Sequence, residues 1–313
     1  MLDVRRLRLL RELAHRGTIA AVAEALAFSP SAVSQQLTAL EREAGVALLE
    51  RTGRRVMLTP AAHGLVRHAE AVLAVLEQAA AELAEAKRGP AGPLRIGTFP
   101  SAARVVIPPA LVLLAERWPE LEPMVAEVDP AGVADLLRSG ELDVALVHDY
   151  DFVPAPVEPG IASEPLFAEA MYLATAEPGP GTPGPVRRIL PSAPRSAGQA
   201  LAAHAGDPWI LATHGTLCHA MAIRACQAAG FTPRIRHRVD DFDTVLALVA
   251  AEQGVALVPE LGLLAPPAAV HLHRLPMSRR TTVAFRHGAG GHPAVAAFGA
   301  AVRATLPVIL RNS

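Results

Sequence analysis

Within the first sixty residues, Phe28-Ser29-Pro30 leaves the chain little choice of structure. Serine is a natural N-cap, and proline at the first helical position loses nothing, because the N–H it lacks would have no intrahelical partner there. A helix must therefore begin at Pro30, and any helix before it must already have ended. Upstream, Leu2, Val4, Leu7, Leu10, Leu13 and Ala14 recur at helical spacing, which predicts an amphipathic first helix stopping near Gly17. Thr18 can cap a second helix over 19–27, with Ala23 and Leu26 turned toward the first.

In the helix that Pro30 opens, Val33, Leu37 and Leu40 form an apolar stripe, while Ser31, Ser34, Gln35 and Thr38 share the opposite face. Small hydroxyl and amide side chains let a helix lie deep in a major groove, where Gln reads an adenine edge and Ser or Thr reach bases or phosphates. A three-helix protein-interaction bundle would show the same periodicity. The stretch 50–60 separates the two readings: Gly53 forms a turn between short apolar strands, and Arg51, Arg54 and Arg55 flank it, a hairpin wing suited to phosphates or a minor groove. The plainer reading of those arginines is a solvated basic loop.

Taken together, Gly17-Thr18-Ile19, Val22-Ala23-Glu24-Ala25-Leu26, the run 29–37, Leu40-Glu41, Gly45-Val46, Leu48-Leu49-Glu50-Arg51 and Leu58-Thr59-Pro60-Ala61 resemble the winged helix-turn-helix of LysR-type transcriptional regulators. Ile19 and Leu49 stand where that family usually has Phe, Val22 where it has Ala, and Ala62 where it has Gly. The DNA-contacting residues implied are Ser29, Ser31, Ser34, Gln35, Thr38, Arg51, Arg54 and Arg55.

Overall charge conceals this end of the chain. The 313 residues carry 29 basic and 30 acidic side chains, yet residues 1–60 hold nine arginines against six acids. The near-neutral total thus averages a modestly basic N-terminal domain with an acidic remainder. So small a positive excess per winged domain calls for several copies on one operator. Only two cysteines occur, Cys218 and Cys226, which fits a reducing compartment, and the charged N-terminus MLDVRRLRLL does not read as a signal peptide. No run of about 18 apolar residues follows, so a cytoplasmic protein without a membrane span is expected.

From Ala61 to Arg88 there is no proline, and Leu65, Ala69, Val72, Leu76, Ala79 and Leu83 step by four and three like a coiled-coil seam. The stripe could pack on its own domain; the resemblance implies an antiparallel linker-helix dimer, and commonly a tetramer made of two dimers. Gly89-Pro90-Ala91-Gly92-Pro93 ends the helix as a hinge.

Residues 94–313 alternate short β-branched runs with helical runs, the pattern of a mostly parallel sheet with helices on both faces. Strands are predicted over 94–98, 124–128, 144–147, 171–175, 209–213, 235–239 and 255–258, and helices over 108–117, 133–139, 217–229, 242–251 and 293–304. Leu94-Arg95-Ile96-Gly97, Trp118-Pro119-Glu120-Leu121, the run 136–147 and Gly254 to Pro259 resemble the effector-binding region of the same family, and Glu252 stands where it usually has Gly. The expected architecture is an N-terminal all-α winged helix-turn-helix (1–60), a linker helix and hinge (61–93), then an α/β effector domain of two Rossmann-like subdomains. The first subdomain is expected over about 94–163 with 270–313, the second over about 164–269, with an extended loop within 177–207.

In open α/β sheets, ligands bind beyond the carboxyl ends of strands, beside helix N-termini. That rule selects Thr98, Phe99, Ser101, His148, Tyr150, Thr213, His214 and Thr216 as effector-binding candidates and favours a small anion or polar ligand. Capping and turn formation is the alternative role for each. His214, Cys218 and His219 make an incomplete metal set, a Cys218–Cys226 disulfide would span two helical turns, and Asp240, Asp241 and Asp243 read as helix capping. No cofactor is expected. An enzyme, or a solute-binding module acting without DNA, would share the α/β region but leaves the basic winged helix unexplained. The expected partners are an operator in double-stranded DNA, further copies of the chain, a small-molecule effector and, as an additional candidate, RNA polymerase.

Overall fold

The computed structural model describes residues 1–52, 55–85, 89–176 and 196–307. Helix α1 (Val4–Arg16) is capped by Asp3 and ends at Gly17, whose φ of 73° closes the C-terminus by a bond to the Leu13 carbonyl. Thr18 caps α2 (Ile19–Ala25), which stops two residues before the expected Ala27. Leu26 leaves the helix and Ala27 adopts a left-handed φ of 55°, the sharp turn that frees Ser29 to cap α3 (Pro30–Ala44). Leu10, Val22, Val33, Leu37 and Leu40 close a core shared by the three helices. The wing is an antiparallel hairpin of β1 (Leu49–Thr52) and β2 (Arg55–Leu58), with Thr52 opposite Arg55. Arg54 and the expected turn at Gly53 lie outside the described residues.

Helix α4 (Pro60–Glu85) divides its predicted seam. Leu65 and Ala69 pack on the N-terminal core, whereas Val72, Leu76, Ala79 and Leu83 are exposed, Leu83 at 72%. The alternative of packing on the chain's own domain therefore holds for the first three turns only.

Strand β3 (Gly92–Thr98) pairs in parallel with β4 (Leu121–Glu127) and with β5 (Val144–Tyr150). Helices α5 (Pro100–Val105), α6 (Ile107–Arg117) and α7 (Pro130–Ser139) connect them. Two long strands follow, β6 (Ile161–Ala176) and β10 (Val270–Arg286), with α8 (Ala197–Ala202), β7 (Pro208–Leu211), α9 (Leu217–Ala228), β8 (Arg234–Arg238), α10 (Phe242–Ala250) and β9 (Ala256–Pro259) between them. Helix α11 (Pro293–Thr305) ends the described chain.

The six-stranded sheet runs β4-β3-β5-β10-β6-β9, and β10 is antiparallel to both neighbours, so the sheet is mixed rather than mostly parallel. Its C-terminal half is built from the two long strands, which run the length of both lobes. Periodicity alone missed β10 because Arg274, Arg279 and Arg280 interrupt its apolar residues. The expected loop within 177–207 is corrected where described: Ser196 caps the helix α8, while 177–195 lies outside the described residues. Glu252, at the position where Gly was expected, holds a left-handed φ of 59° after α10.

Polar contacts fasten the N-terminal half to the first lobe. The Arg8 guanidinium donates to the Ser139 carbonyl at 2.7 Å and Arg286 to Glu77 at 2.8 Å, while His15 beside Glu70 at 3.0 Å ties α1 to α4 within the N-terminal part. Burial, and then neighbouring Arg11, push the Arg8 pKa down.

Candidate functional site

The first site is the outer face of α3. Ser31, Gln35 and Thr38 are exposed and Ser34 is half-buried, while Val33, Leu37 and Leu40 on the reverse side are at most 1% exposed. Three and four residues per step bring the polar four onto one strip. Ser29 is otherwise engaged: its Oγ accepts from the Ala32 amide at 3.2 Å and meets Ser31 Oγ at 3.0 Å. Its contribution is therefore to fix where the helix starts. On the flank, Arg6 donates to Gln36 at 2.9 Å and pairs with Glu43, tying α1 to α3. Arg51 and Arg55 lie on the two wing strands, one position out of register with each other.

The second site is a cavity of about 670 Å³ between the lobes, within the usual range of roughly 300–1,000 Å³ for small-molecule sites. It opens where β3, β5 and β7 end, as the α/β rule requires. Of the eight candidates, Phe99, Ser101, His148, Tyr150, Thr213 and Thr216 line it. Thr98 and His214 do not. Thr98 is completely buried one residue before the strand's exit, and His214 faces outward with its ring 5.2 Å from that of His219.

Beneath the cavity runs a ladder across three strands, from which His148, Tyr150 and Arg279 reach the lining. Tyr150, Arg279 and Glu169 stand opposite one another on β5, β10 and β6, and so do His148, Thr281 and Phe167. Residues two apart on a strand share a face, so both rows point the same way. Arg279 is 1% exposed; its Nε and one terminal nitrogen reach Glu169 Oε1 at 2.7 Å, the other contact is to Ser101 Oγ at 2.9 Å, and it lies 4.9 Å over the Phe99 ring. Glu169 also accepts from the Leu261 amide at 2.6 Å. Burial is the largest single influence and works against the Arg279 charge, but Glu169, with Tyr150 and Cys218 beside it, together outweigh it, and the pKa lies above the ordinary arginine value.

His148 is wedged edge-on between Phe99 at 4.5 Å and Tyr150 at 5.2 Å. Burial, reinforced by nearby Arg279, holds its pKa well below the usual imidazole value, so the ring is neutral at pH 7. Tyr150 Oη and Cys218 Sγ are 2.9 Å apart, and burial raises both pKa values. At the rim, Thr213 donates its amide and hydroxyl to Asp240 at 2.8 and 2.6 Å, and Thr216 Oγ1 caps α9. Reasoning from the sequence missed Arg279 and Glu169 entirely, since each acquires meaning only when β6 and β10 are set side by side.

The sequence matches the model of a bacterial regulatory helix-turn-helix protein of the lysR family over residues 4–63, and that of the LysR substrate binding domain over residues 87–307. It is 30% identical over 269 residues to the DNA-binding transcriptional dual regulator OxyR of Escherichia coli K12, covering 85% of this chain and 81% of that one. A probable hydrogen peroxide-inducible genes activator of Mycobacterium avium is 32% identical over 259 residues, 81% of this chain and 76% of the relative. Among solved structures, a C206 mutant of Corynebacterium glutamicum OxyR superposes with a TM-score of 0.55 at 26% identity, over 97% of this chain and 92% of that one. These relatives are regulators and not enzymes. With both family models matched across nearly its whole length, the chain belongs to the LysR family of DNA-binding transcriptional regulators.

Proposed function

We propose that α3 reads the operator through Ser31, Ser34, Gln35 and Thr38, that Ser29 sets the helix start, and that Arg51, Arg54 and Arg55 bring positive charge to the backbone alongside. The observation that carries this is the strip of small polar side chains held outward by a fully buried apolar face. We assign the DNA-binding domain to 1–60, the linker helix and hinge to 61–93, and the effector domain to 94–313, whose lobes divide at about 163 and 270. The cleft between the lobes takes a small molecule, and its occupancy changes the disposition of the lobes and hence the spacing of DNA contacts.

The exposed seam Val72, Leu76, Ala79 and Leu83 supports pairing of α4 with a second copy, and a pair of such dimers gives the tetramer. Among the described residues no helix is long and apolar enough to cross a membrane, and the cytoplasm, where RNA polymerase is the further partner, is the compartment we assign.

The peroxide response in the names of some relatives is not carried over by the thiols here. Both lie on α9, eight residues and so about 12 Å apart along the axis, far beyond disulfide reach without unwinding the helix. Cys226 is buried and its pKa is pushed up to about 12.

The operator reading is tested by a gel-shift titration of Ser34→Ala with Gln35→Ala against a cognate and a scrambled site. Discrimination should fall by about 1–3 kcal/mol for the lost base-edge contact. Discrimination equal to that of the wild type removes α3 from the role.

A further inference from the structure

Accepting the cleft as the effector site, we propose that α7 couples it to the winged helix-turn-helix of the same chain, its first turn walling the cavity and its last turn gripping α1. The sequence supplies the first clue. Three of the nine arginines in the first sixty residues, Arg8, Arg11 and Arg16, are turned to the chain's own first lobe rather than toward DNA. Their partners are main-chain carbonyls of α7.

The last carbonyls of a helix have no intrahelical amide and form the negative end of its dipole. At the end of α7 the Gly140 amide serves Leu136 and Leu137. The two carbonyls beyond them go to α1: Arg8 donates to Ser139 at 2.7 Å and Arg11 to Arg138 at 3.3 Å. Arg16 reaches the Asp135 carbonyl at 3.3 Å, one turn earlier. Arg286 brings α4 to the same place, donating to the Leu137 and Leu142 carbonyls at 3.1 and 2.9 Å and to Glu77 at 2.8 Å. Arg11, Glu12 and Arg138 are buried at this joint, and Arg138 is itself held by Asp135 and Glu158. The grip is thus a packed interface, not a loose surface contact.

The opposite end of α7 belongs to the effector cavity. Val128, Asp129 and Pro130 line it, and Asp129 caps the helix through the Ala131 amide at 2.9 Å. Ten residues at about 1.5 Å each set the two ends about 15 Å apart. Val133 and Leu137 share one buried cluster with Leu142, Ala145 and Ala284, so α7 moves with the first lobe and not within it. A molecule held between Asp129 and the second lobe's contribution to the lining, Thr213, Thr216 and Asp241, changes the posture of the first lobe, and α1 follows. This route runs within one chain and needs no partner copy.

Leu217→Trp supplies the perturbation in place of a ligand, because Leu217 lines the cavity, half-buried, at the first turn of α9. Operator affinity of the full-length protein is measured by gel-shift titration with and without Leu217→Trp, in wild-type, Arg8→Ala and Arg5→Ala backgrounds. In the wild-type background Leu217→Trp should change the affinity by about fivefold or more. With Arg8→Ala the change should shrink below about twofold, since both substitutions act on one path. Arg5 is exposed on the same helix, so Arg5→Ala removes an equal charge and should leave the change intact. Arg8→Met keeps the apolar stem without the donors and gives the same reading if alanine unfolds the domain. A change of full size in the Arg8 variants overturns the coupling and leaves the cleft standing, with α4 as the route. Loss of the change in Arg5→Ala as well makes the effect one of charge and overturns the coupling too. No change from Leu217→Trp in the wild-type background removes the cleft from its role, and the coupling with it.

Discussion

The two functional regions use polar groups in opposite ways. On α3 the polar strip is largely exposed, with Ser31 engaged only by the neighbouring Ser29, and its rigidity comes from the apolar residues behind it. On the floor of the cleft most of the polar groups are buried and bound to one another, Arg279 to Glu169 and Ser101 and Tyr150 to Cys218, while Thr213 and Asp240 pair at the exposed rim. Surface groups waiting for a partner can be changed singly with local loss. A buried network fails as a unit, because removing one member strands another away from water.

The largest effect that sharpens this contrast belongs to Glu169→Gln. Glutamine keeps an acceptor for the Leu261 amide but leaves the Arg279 charge buried without its counter-ion, which should destabilise the protein by about 3–5 kcal/mol in urea unfolding. Replacing both partners with Met should restore most of that loss. A cost for Glu169→Gln no larger than that of Gln35→Ala would dissolve the distinction between the two regions.

Next in size is the acid response of His148. Its pKa in the folded protein lies well below the unfolded value of about 6.5. The unfolded chain therefore binds more protons as pH falls below that value, and stability declines by up to about 1.4 kcal/mol per pH unit until the folded pKa is reached. Above about pH 6.5 the contribution is fully present. Thermal melts of wild type and His148→Phe at pH 7.5 and 5.5 should diverge only at the lower value; parallel curves would mean that the imidazole is protonated or solvated in the folded protein.

How far each region could be read in the sequence follows from the same contrast. Contacts within α1 to α3 are local, so caps at Thr18 and Ser29, the apolar stripe and the polar strip are all visible at helical spacing. The cleft draws on Phe99, His148, Glu169, Thr216 and Arg279, residues far apart in the chain that only the sheet brings together. Strand-end positions gave six of the lining residues, because the end of a strand is itself a local feature. The Arg279–Glu169 pair depended on the register of two strands with about a hundred residues between them, and nothing in either strand's own pattern reports it. Thr98 and His214 were misplaced by one residue's worth of pleat and turn, a precision that periodicity does not carry.

The smallest effect is also the most direct comparison, because each region contains one non-glycine residue in the left-handed conformation: Ala27 at φ 55° before α3 and Glu252 at φ 59° after α10. A side chain there crowds the following carbonyl, so glycine relieves strain at either place but also gives the unfolded chain more freedom. Ala27→Gly and Glu252→Gly should each raise stability by about 0.5–1 kcal/mol in urea unfolding. Their functional consequences should part. Glu252 closes a turn on the Val249 carbonyl at 2.9 Å, away from the cavity lining, and its replacement should leave effector affinity unchanged. Ala27 sets the angle at which α3 leaves α2, with the next amide held to the Ala23 carbonyl at 2.8 Å, so a freer residue there should weaken operator binding even as the fold gains. Equal operator affinity for Ala27→Gly and wild type would show that the core of Val22, Val33 and Leu37 alone aims the reading helix, and that the turn merely follows.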